Sequence, residues 1–179
     1  MRRLILKLSM SVDGFVGGPN GEMDAFMRHR SPDGAAWVTD LLRDSGVQVI
    51  GRKTYEGWAT FWPTAPGPMT EAMNALPRIV VTRQASVDTS LWDAEVANGD
   101  LATEIARLKQ QDGKDILAHG GAGFAQSLIK LGLVDEYRLV VHPVALGAGL
   151  PLFPALMDLQ LVSATSFASG TVAKVYRPA

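Results

Sequence analysis

Three stretches of the sequence combine glycine, hydroxyl and basic residues in patterns suited to holding phosphate. Ile116–Gly123 reads Ile-Leu-Ala-His-Gly-Gly-Ala-Gly, an apolar run that breaks into glycines and then into a helical apolar period from Phe124. A strand that turns through glycine into a helix leaves several backbone N–H groups unpaired and aimed at one point, with the positive end of the helix dipole behind them. Glycine also lets a ligand's phosphates come close to the backbone. The same design recurs at Val49-Ile50-Gly51-Arg52-Lys53-Thr54, where two cations and a hydroxyl open the helix, a set suited to a phosphate monoester. Thr82-Arg83 closes a further apolar strand. One glycine turn and two basic strand ends would fit a dinucleotide with an extra phosphate. The plainer alternatives are a structural turn at Gly120–Gly123 and solvated surface charge at Arg52 and Arg83.

Proton chemistry would need a carboxylate or an imidazole. Asp13 follows the first apolar run, and its alternative is a local turn before Gly14. Asp33 precedes Trp37, and its alternative is a helix cap. Asp24 reads as solvated. The three histidines, His29, His119 and His142, are scattered, and the chain has no cysteine. Thiolate chemistry, disulfides and a protein-held zinc site are therefore not expected. His119-Gly120-Gly121 resembles the oxyanion loop of some esterases, but no Gly-x-Ser-x-Gly nucleophile elbow accompanies it. The chain also lacks the Gly-x-Gly-x-x-Gly fingerprint after its first strand and any Gly-Lys-Ser/Thr phosphate loop.

The elements that must position these residues alternate. Residues 3–11 read as a strand, and 12–32 as a long loop centred on Gly17-Gly18-Pro19-Asn20-Gly21, a length usual for functional or mobile loops. Trp37, Val38, Leu41 and Leu42 share one face of a helix over 33–45. Strands are expected over 47–50, 78–82 and 115–118, with a short edge strand over 91–96. Helices are expected after Gly51, over 69–76, over 101–111 capped by Asp100, and over 121–131. Trp58 to Pro68 reads as irregular. Residues 136–142 form a strand, and 162–167 with 171–177 a hairpin around Ser169-Gly170. Strand–helix alternation followed by consecutive strands implies a mostly parallel sheet with an antiparallel edge.

With 179 residues, 47% of them hydrophobic, the chain suffices for one globular domain spanning 1–179. Its net charge of −1 gives no sign of a nucleic-acid partner. No apolar segment approaches the length of a membrane span, and Lys7 and Asp13 interrupt the N-terminal run, so a soluble, cytoplasmic protein is expected.

The ordered motifs Ser9-Met10-Ser11-Val12-Asp13-Gly14, Gly51-Arg52-Lys53-Thr54-Tyr55-Glu56, Ile79-Val80-Val81-Thr82-Arg83, His119-Gly120-Gly121-Ala122-Gly123-Phe124 and Pro143–Phe153 resemble the dihydrofolate-reductase-like superfamily. Within it, they are most similar to the C-terminal reductase domain of the bacterial riboflavin deaminase-reductase, over nearly the whole chain. The resemblance implies a three-layer α/β/α domain with a central mixed sheet and NADPH as hydride donor. It implies that Gly51, Arg52, Lys53 and Thr54 hold the adenosine-side phosphate, and that Thr82 and Arg83 flank the 2′-phosphate and adenine. Gly120, Gly121, Ala122, Gly123 and Phe124 would wrap the pyrophosphate, and Leu146 and Gly147 would lie near the nicotinamide. A cis peptide is expected between Gly120 and Gly121, at a cost of about 2.5–4 kcal/mol.

Ser11, Phe26, Trp37 and Trp62 are the expected substrate contacts, with further aromatic walls from Phe15, Trp58 and Phe61. Lys7 or Arg28 could meet a phosphoribosyl group. Asp13 or Asp33, buried enough to have a raised pKa, would supply the proton. No deaminase motif accompanies the reductase motifs. The expected activity is reduction of a ribosylaminopyrimidine, with reduction of a dihydrofolate or pterin, or a non-catalytic NADP-binding module, as alternatives. The family often forms homodimers, for which the apolar C-terminal hairpin is available.

Overall fold

The computed structural model describes residues 1–179. Its centre is one eight-stranded sheet. The strands are β1 (Leu4–Ser11), β2 (Val47–Gly51), β3 (Arg78–Val81), β4 (Glu95–Ala97), β5 (Ile116–His119), β6 (Glu136–His142), β7 (Leu159–Ser166) and β8 (Val172–Pro178). The helices are α1 (Asp24–Met27), α2 (Pro32–Arg43), α3 (Arg52–Ala59), α4 (Pro68–Ala75), α5 (Leu101–Gln110) and α6 (Ala122–Lys130). The strand order is β4-β3-β2-β5-β1-β6-β8-β7. The first six strands run parallel, and β8 and β7 close the sheet antiparallel.

Strand alternation divides β1 between two layers. Leu4, Leu6, Leu8 and Met10 pack with Val49, Ala118 and Leu139 under Ile105 and Leu108 of α5 and Leu128 and Ile129 of α6. Ile5 packs on the other face with Ile50, Leu117 and Val80, beneath Leu41 and Leu42 of α2, Tyr55 of α3 and Met73 of α4. These layers match the expected three-layer α/β/α fold with its mostly parallel sheet and C-terminal hairpin. Beyond Ile5 the second face turns polar, because Lys7, Ser9 and Ser11 follow at the same parity.

Element boundaries move by a few residues. The loop expected over 12–32 contains α1, and the edge strand expected over 91–96 is β4. The chain after β1 is zipped to the chain after β6: Val16 N–H donates to Leu150 O, Leu150 N–H to Gly17 O and Leu152 N–H to Gly14 O. At the opposite end of the sheet, buried Glu136 accepts from Arg3, Arg138 and Arg177 at 3.0, 2.9 and 3.1 Å.

Candidate active site

The three phosphate-type turns meet at one edge. Because β3, β2 and β5 are neighbours and parallel, Thr82-Arg83, Gly51–Thr54 and Gly120–Phe124 all leave the sheet at its C-terminal end, side by side. Ligands of open α/β sheets bind in this position. The turns Gly51–Thr54 and Gly120–Phe124 also touch. A Cβ on Gly120 would lie 2.7 Å from Thr54 Cγ2, and one on Gly51 would lie 2.9 Å from Phe124 Cβ. Glycine is required at Gly120 and Gly121 on a second count, since both have left-handed φ, 56° and 67°.

No peptide bond is cis, which corrects the expectation at Gly120–Gly121. The two positive φ values make the reversal there with a trans bond.

In α6 the first amide with an intrahelical partner is Ala125 N–H, which donates to Gly121 O at 3.0 Å. The amides ahead of it are the ones a pyrophosphate would meet. A Cβ on Gly123 would have nothing within 4 Å, so the backbone there faces open space. Arg52 is engaged by Glu56 at 2.7 Å, one turn along α3. Lys53 and Arg83 stand exposed at the same edge, while Thr82 is buried and its hydroxyl accepts from Gln84 N–H at 3.0 Å. Unpaired amides, an open glycine and two exposed cations fit a phosphorylated dinucleotide.

The carboxylates differ from expectation. Asp13 is exposed and accepts the amide protons of Leu146 at 3.1 Å and Gly147 at 2.7 Å. The Ser11 hydroxyl and these amides hold its carboxyl down at about 2. Asp33 is likewise exposed and accepts from Gly34 N–H at 3.0 Å and Ala168 N–H at 2.9 Å. The Ser31 side chain and the Ala168 amide lower its carboxyl below the ordinary value. The expectation of a buried carboxyl with a raised pKa is therefore corrected at both positions: each is ionised and ties two loops together. Asp13 joins the loop after β1 to the loop after β6, and Asp33 joins the start of α2 to the β7–β8 turn.

The polar half of the second sheet face holds titratable groups that the sequence reading did not unite. Strand register puts Lys7 directly beside His119 on β5, and Ser11 beside His142 on β6. Burial and then Arg30 push the Lys7 ammonium down to about 8. His119 is buried and held neutral, pushed down to about 3 by burial and by Lys7. His142 is pushed down to about 4 by burial, then by Lys7, His29 and Arg30. Nε2 of His119 and both ring nitrogens of His142 are buried without a hydrogen-bond partner. Each such orphan costs about 1–3 kcal/mol, which a ligand that bonds it would recover.

The expected substrate contacts are distributed around this region. Phe26 is buried and stacks on His142, with ring centroids 5.1 Å apart. Ser11 is fully buried, and its hydroxyl accepts from Phe15 N–H at 3.0 Å. Trp37 packs on Phe167. Trp62 meets Trp58 edge to face, and Trp58 in turn meets the His119 ring, with centroids 5.5 Å apart. Trp62 also lines a cavity of about 480 Å³ between α2 and the 61–70 segment, with Arg30, Arg43, Phe61 and Met69 around it. Its indole Nε1 is a further buried donor without a partner.

A mostly parallel sheet with phosphate-type turns gathered at its C-terminal edge and an antiparallel closing hairpin defines the dihydrofolate-reductase-like class of α/β protein. Dihydrofolate reductase from Enterococcus faecalis, solved with NADP(H), superposes with a TM-score of 0.66 over 98% of this chain and 96% of that one, at 14% identity. The family model of the RibD C-terminal domain matches residues 2–173, and the chain belongs to that family. Uncharacterized protein YyaP of Bacillus subtilis is 37% identical over 98% of this chain and 94% of its own length. The deaminase/5-amino-6-(5-phosphoribosylamino)uracil reductase of Thermotoga maritima shares the fold, with a TM-score of 0.71 and 16% identity. That match covers 99% of this chain and 57% of the larger one. No helix is long and apolar enough to cross a membrane.

Proposed function

We propose that this protein is an NADPH-dependent reductase of a heterocyclic substrate, most similar in activity to a 5-amino-6-(5-phosphoribosylamino)uracil reductase. The observation that carries the reading is the gathering of three phosphate-type turns at the ends of the adjacent strands β3, β2 and β5, two of them packed together where Thr54 meets Gly120. Gly120–Phe124 would hold the pyrophosphate through backbone amides, and Gly51–Thr54 the adenosine-side phosphate. Lys53, Thr82 and Arg83 would read the 2′-phosphate, with Arg52 joining once released from Glu56. NADPH, when bound, supplies a hydride.

The chain's own residues orient and protonate. Asp13 fixes Leu146 and Gly147 on the nicotinamide side and acts as a positioning residue, as Asp33 does for α2. Hydride addition to a ring or open C=N carbon leaves a pair of electrons on nitrogen that must take a proton. Lys7, whose ammonium is pushed down to about 8, is suited to give that proton or to meet a substrate phosphate near neutral pH. Trp37, Phe26 and Trp62 would wall a flat ring from water. A reductase of dihydrofolate is disfavoured because the buried residues of α2 are Thr39, Leu41 and Leu42, with Trp37 and Val38 partly buried beside them, and none is a carboxylate. The uncharged, exposed edge strand β7 is the surface proposed for homodimer formation.

The test is loss of NADPH absorbance with the phosphoribosylaminopyrimidine as acceptor. Turnover with NADPH well above that with NADH supports the assignment. NADPH binding without turnover on any pyrimidine or pterin would instead make the protein a nucleotide-binding module, and absence of NADPH binding would remove the assignment altogether.

A further inference from the structure

The three cations at the cofactor edge are not equivalent. Gly51 and Val81 are register partners, so Arg52-Lys53 and Thr82-Arg83 leave the adjacent strands β2 and β3 together. Lys53 and Arg83 are exposed and have no ion-pair partner, whereas Arg52 is paired. Its Nη1 donates to Glu56 Oε1 at 2.7 Å and to Glu56 Oε2 at 2.9 Å, while its Nε and Nη2 bond nothing in the protein. The Glu56 carboxylate in turn bonds only Arg52. A carboxylate therefore stands among the groups that the NADPH reading assigns to a phosphate. Resting on that reading, we infer that Glu56 is a specificity-determining residue for the cofactor. It competes with the 2′-phosphate for Arg52 and so lowers the preference for NADPH over NADH.

The chemistry is one of exchange. Arginine binds carboxylate and phosphate with the same N–H donors, so a nitrogen given to Glu56 must be withdrawn before a phosphate takes it. The pair is easily parted, because 27% of the Arg52 side chain and 49% of the Glu56 side chain are open to water, where such pairs hold weakly. A phosphate monoester carries about −1.5 to −2 charges near neutral pH and draws strongly on a free guanidinium. NADH carries a neutral ribose hydroxyl at the same place, so its binding is nearly blind to whether Arg52 is free. A carboxylate that only held Arg52 ready for the phosphate would act in the opposite sense. The sign of the effect on NADPH affinity therefore separates competition from positioning.

The experiment is calorimetric titration of the full chain with NADPH and NADH, and with adenosine 2′,5′-bisphosphate and AMP as probes of the adenosine half alone. Glu56 is exposed and bonds only Arg52, so E56Q should fold as wild type does, and E56A is the second variant if it does not. E56Q should bind NADPH and adenosine 2′,5′-bisphosphate about three- to five-fold tighter than wild type. Its affinities for NADH and AMP should stay within about two-fold of wild type. Added to R52Q, the same substitution should bring no gain, because the cation it frees is gone. A gain for NADPH below about two-fold, a loss of NADPH affinity, an equal gain for NADH, or a gain that survives in R52Q would each overturn the inference while leaving the reductase reading intact. A wild type that binds no NADPH would overturn both together.

Discussion

Gly120 and Thr54 are packed so closely that a Cβ on the glycine would fall 2.7 Å from Thr54 Cγ2. The contact joins the end of β5 to the first turn of α3, so the two phosphate-type turns hold one another in place. Gly120→Ala should cost about 1–2 kcal/mol from the left-handed φ alone, with more from the contact, and should weaken NADPH binding. Gly123→Ala makes the matching control. Its Cβ meets open space in a helix first turn, so the free protein should be unchanged or more stable by up to about 1 kcal/mol, while NADPH binds less tightly. Melting curves with and without NADPH check both. A Gly123→Ala variant that binds NADPH as well as wild type would place the pyrophosphate elsewhere.

Asp13 is a clamp in this account. Its carboxyl, held at about 2, stays ionised across the whole working pH range. Asp13→Asn should therefore lower kcat about ten-fold by loosening Leu146 and Gly147, without moving either limb of the pH–rate profile. A displaced limb would restore Asp13 as a proton donor.

Acid should destabilise the fold through the buried imidazoles. His119 and His142 fall from 6.5 to about 3 and about 4 in the folded chain, so between those values the unfolded chain binds more protons. Their stabilising contribution is complete above about pH 6.5 and is lost as pH falls toward 4 and 3, at up to about 1.4 kcal/mol per pH unit for each group. Denaturant midpoints measured from neutral to mildly acidic pH should fall, and His142→Asn should flatten the slope. An unchanged slope in that variant would show that His142 does not carry it.

Strand β7 forms a long edge from Leu159 to Ser166 with no charge along it, and Leu161 and Val162 are exposed. Native edges are usually blunted by charge. Val162→Lys should convert a dimer to a monomer in light scattering. A wild type that is monomeric at high concentration would rule out this surface as a dimer interface.

Much of the fold was legible because each strand–turn–helix unit advertises itself locally: the apolar run, the glycine, then the helical period. Gly51 and Gly120 could be paired from sequence because their turns share a design. What was not legible depends on which strand lies beside which. Lys7 and His119 are 112 positions apart, and only the insertion of β5 between β2 and β1 makes them neighbours. Asp13 and Asp33 were misjudged for the same reason. The Ser11 and Ser31 side chains that lower them most are local, but the amides of Leu146, Gly147 and Ala168 that add to this come from distant loops that the sequence does not place. The mobile-looking loop after β1 conceals α1, whose single turn is fixed by burying Phe26 against His142, a tertiary contact that no local period announces.

The central claim is that Gly51–Thr54, Thr82-Arg83 and Gly120–Phe124 together bind NADPH. The most direct measurement is an amide NMR titration of the protein with NADPH and, separately, with NADH. The expected result is that NADPH shifts Gly121 to Phe124, Thr54 and Arg83 together, and that NADH shifts the same glycine turn at much higher concentration while leaving Arg83 unmoved. Shifts confined to another part of the sheet, or none at saturating NADPH, would contradict it.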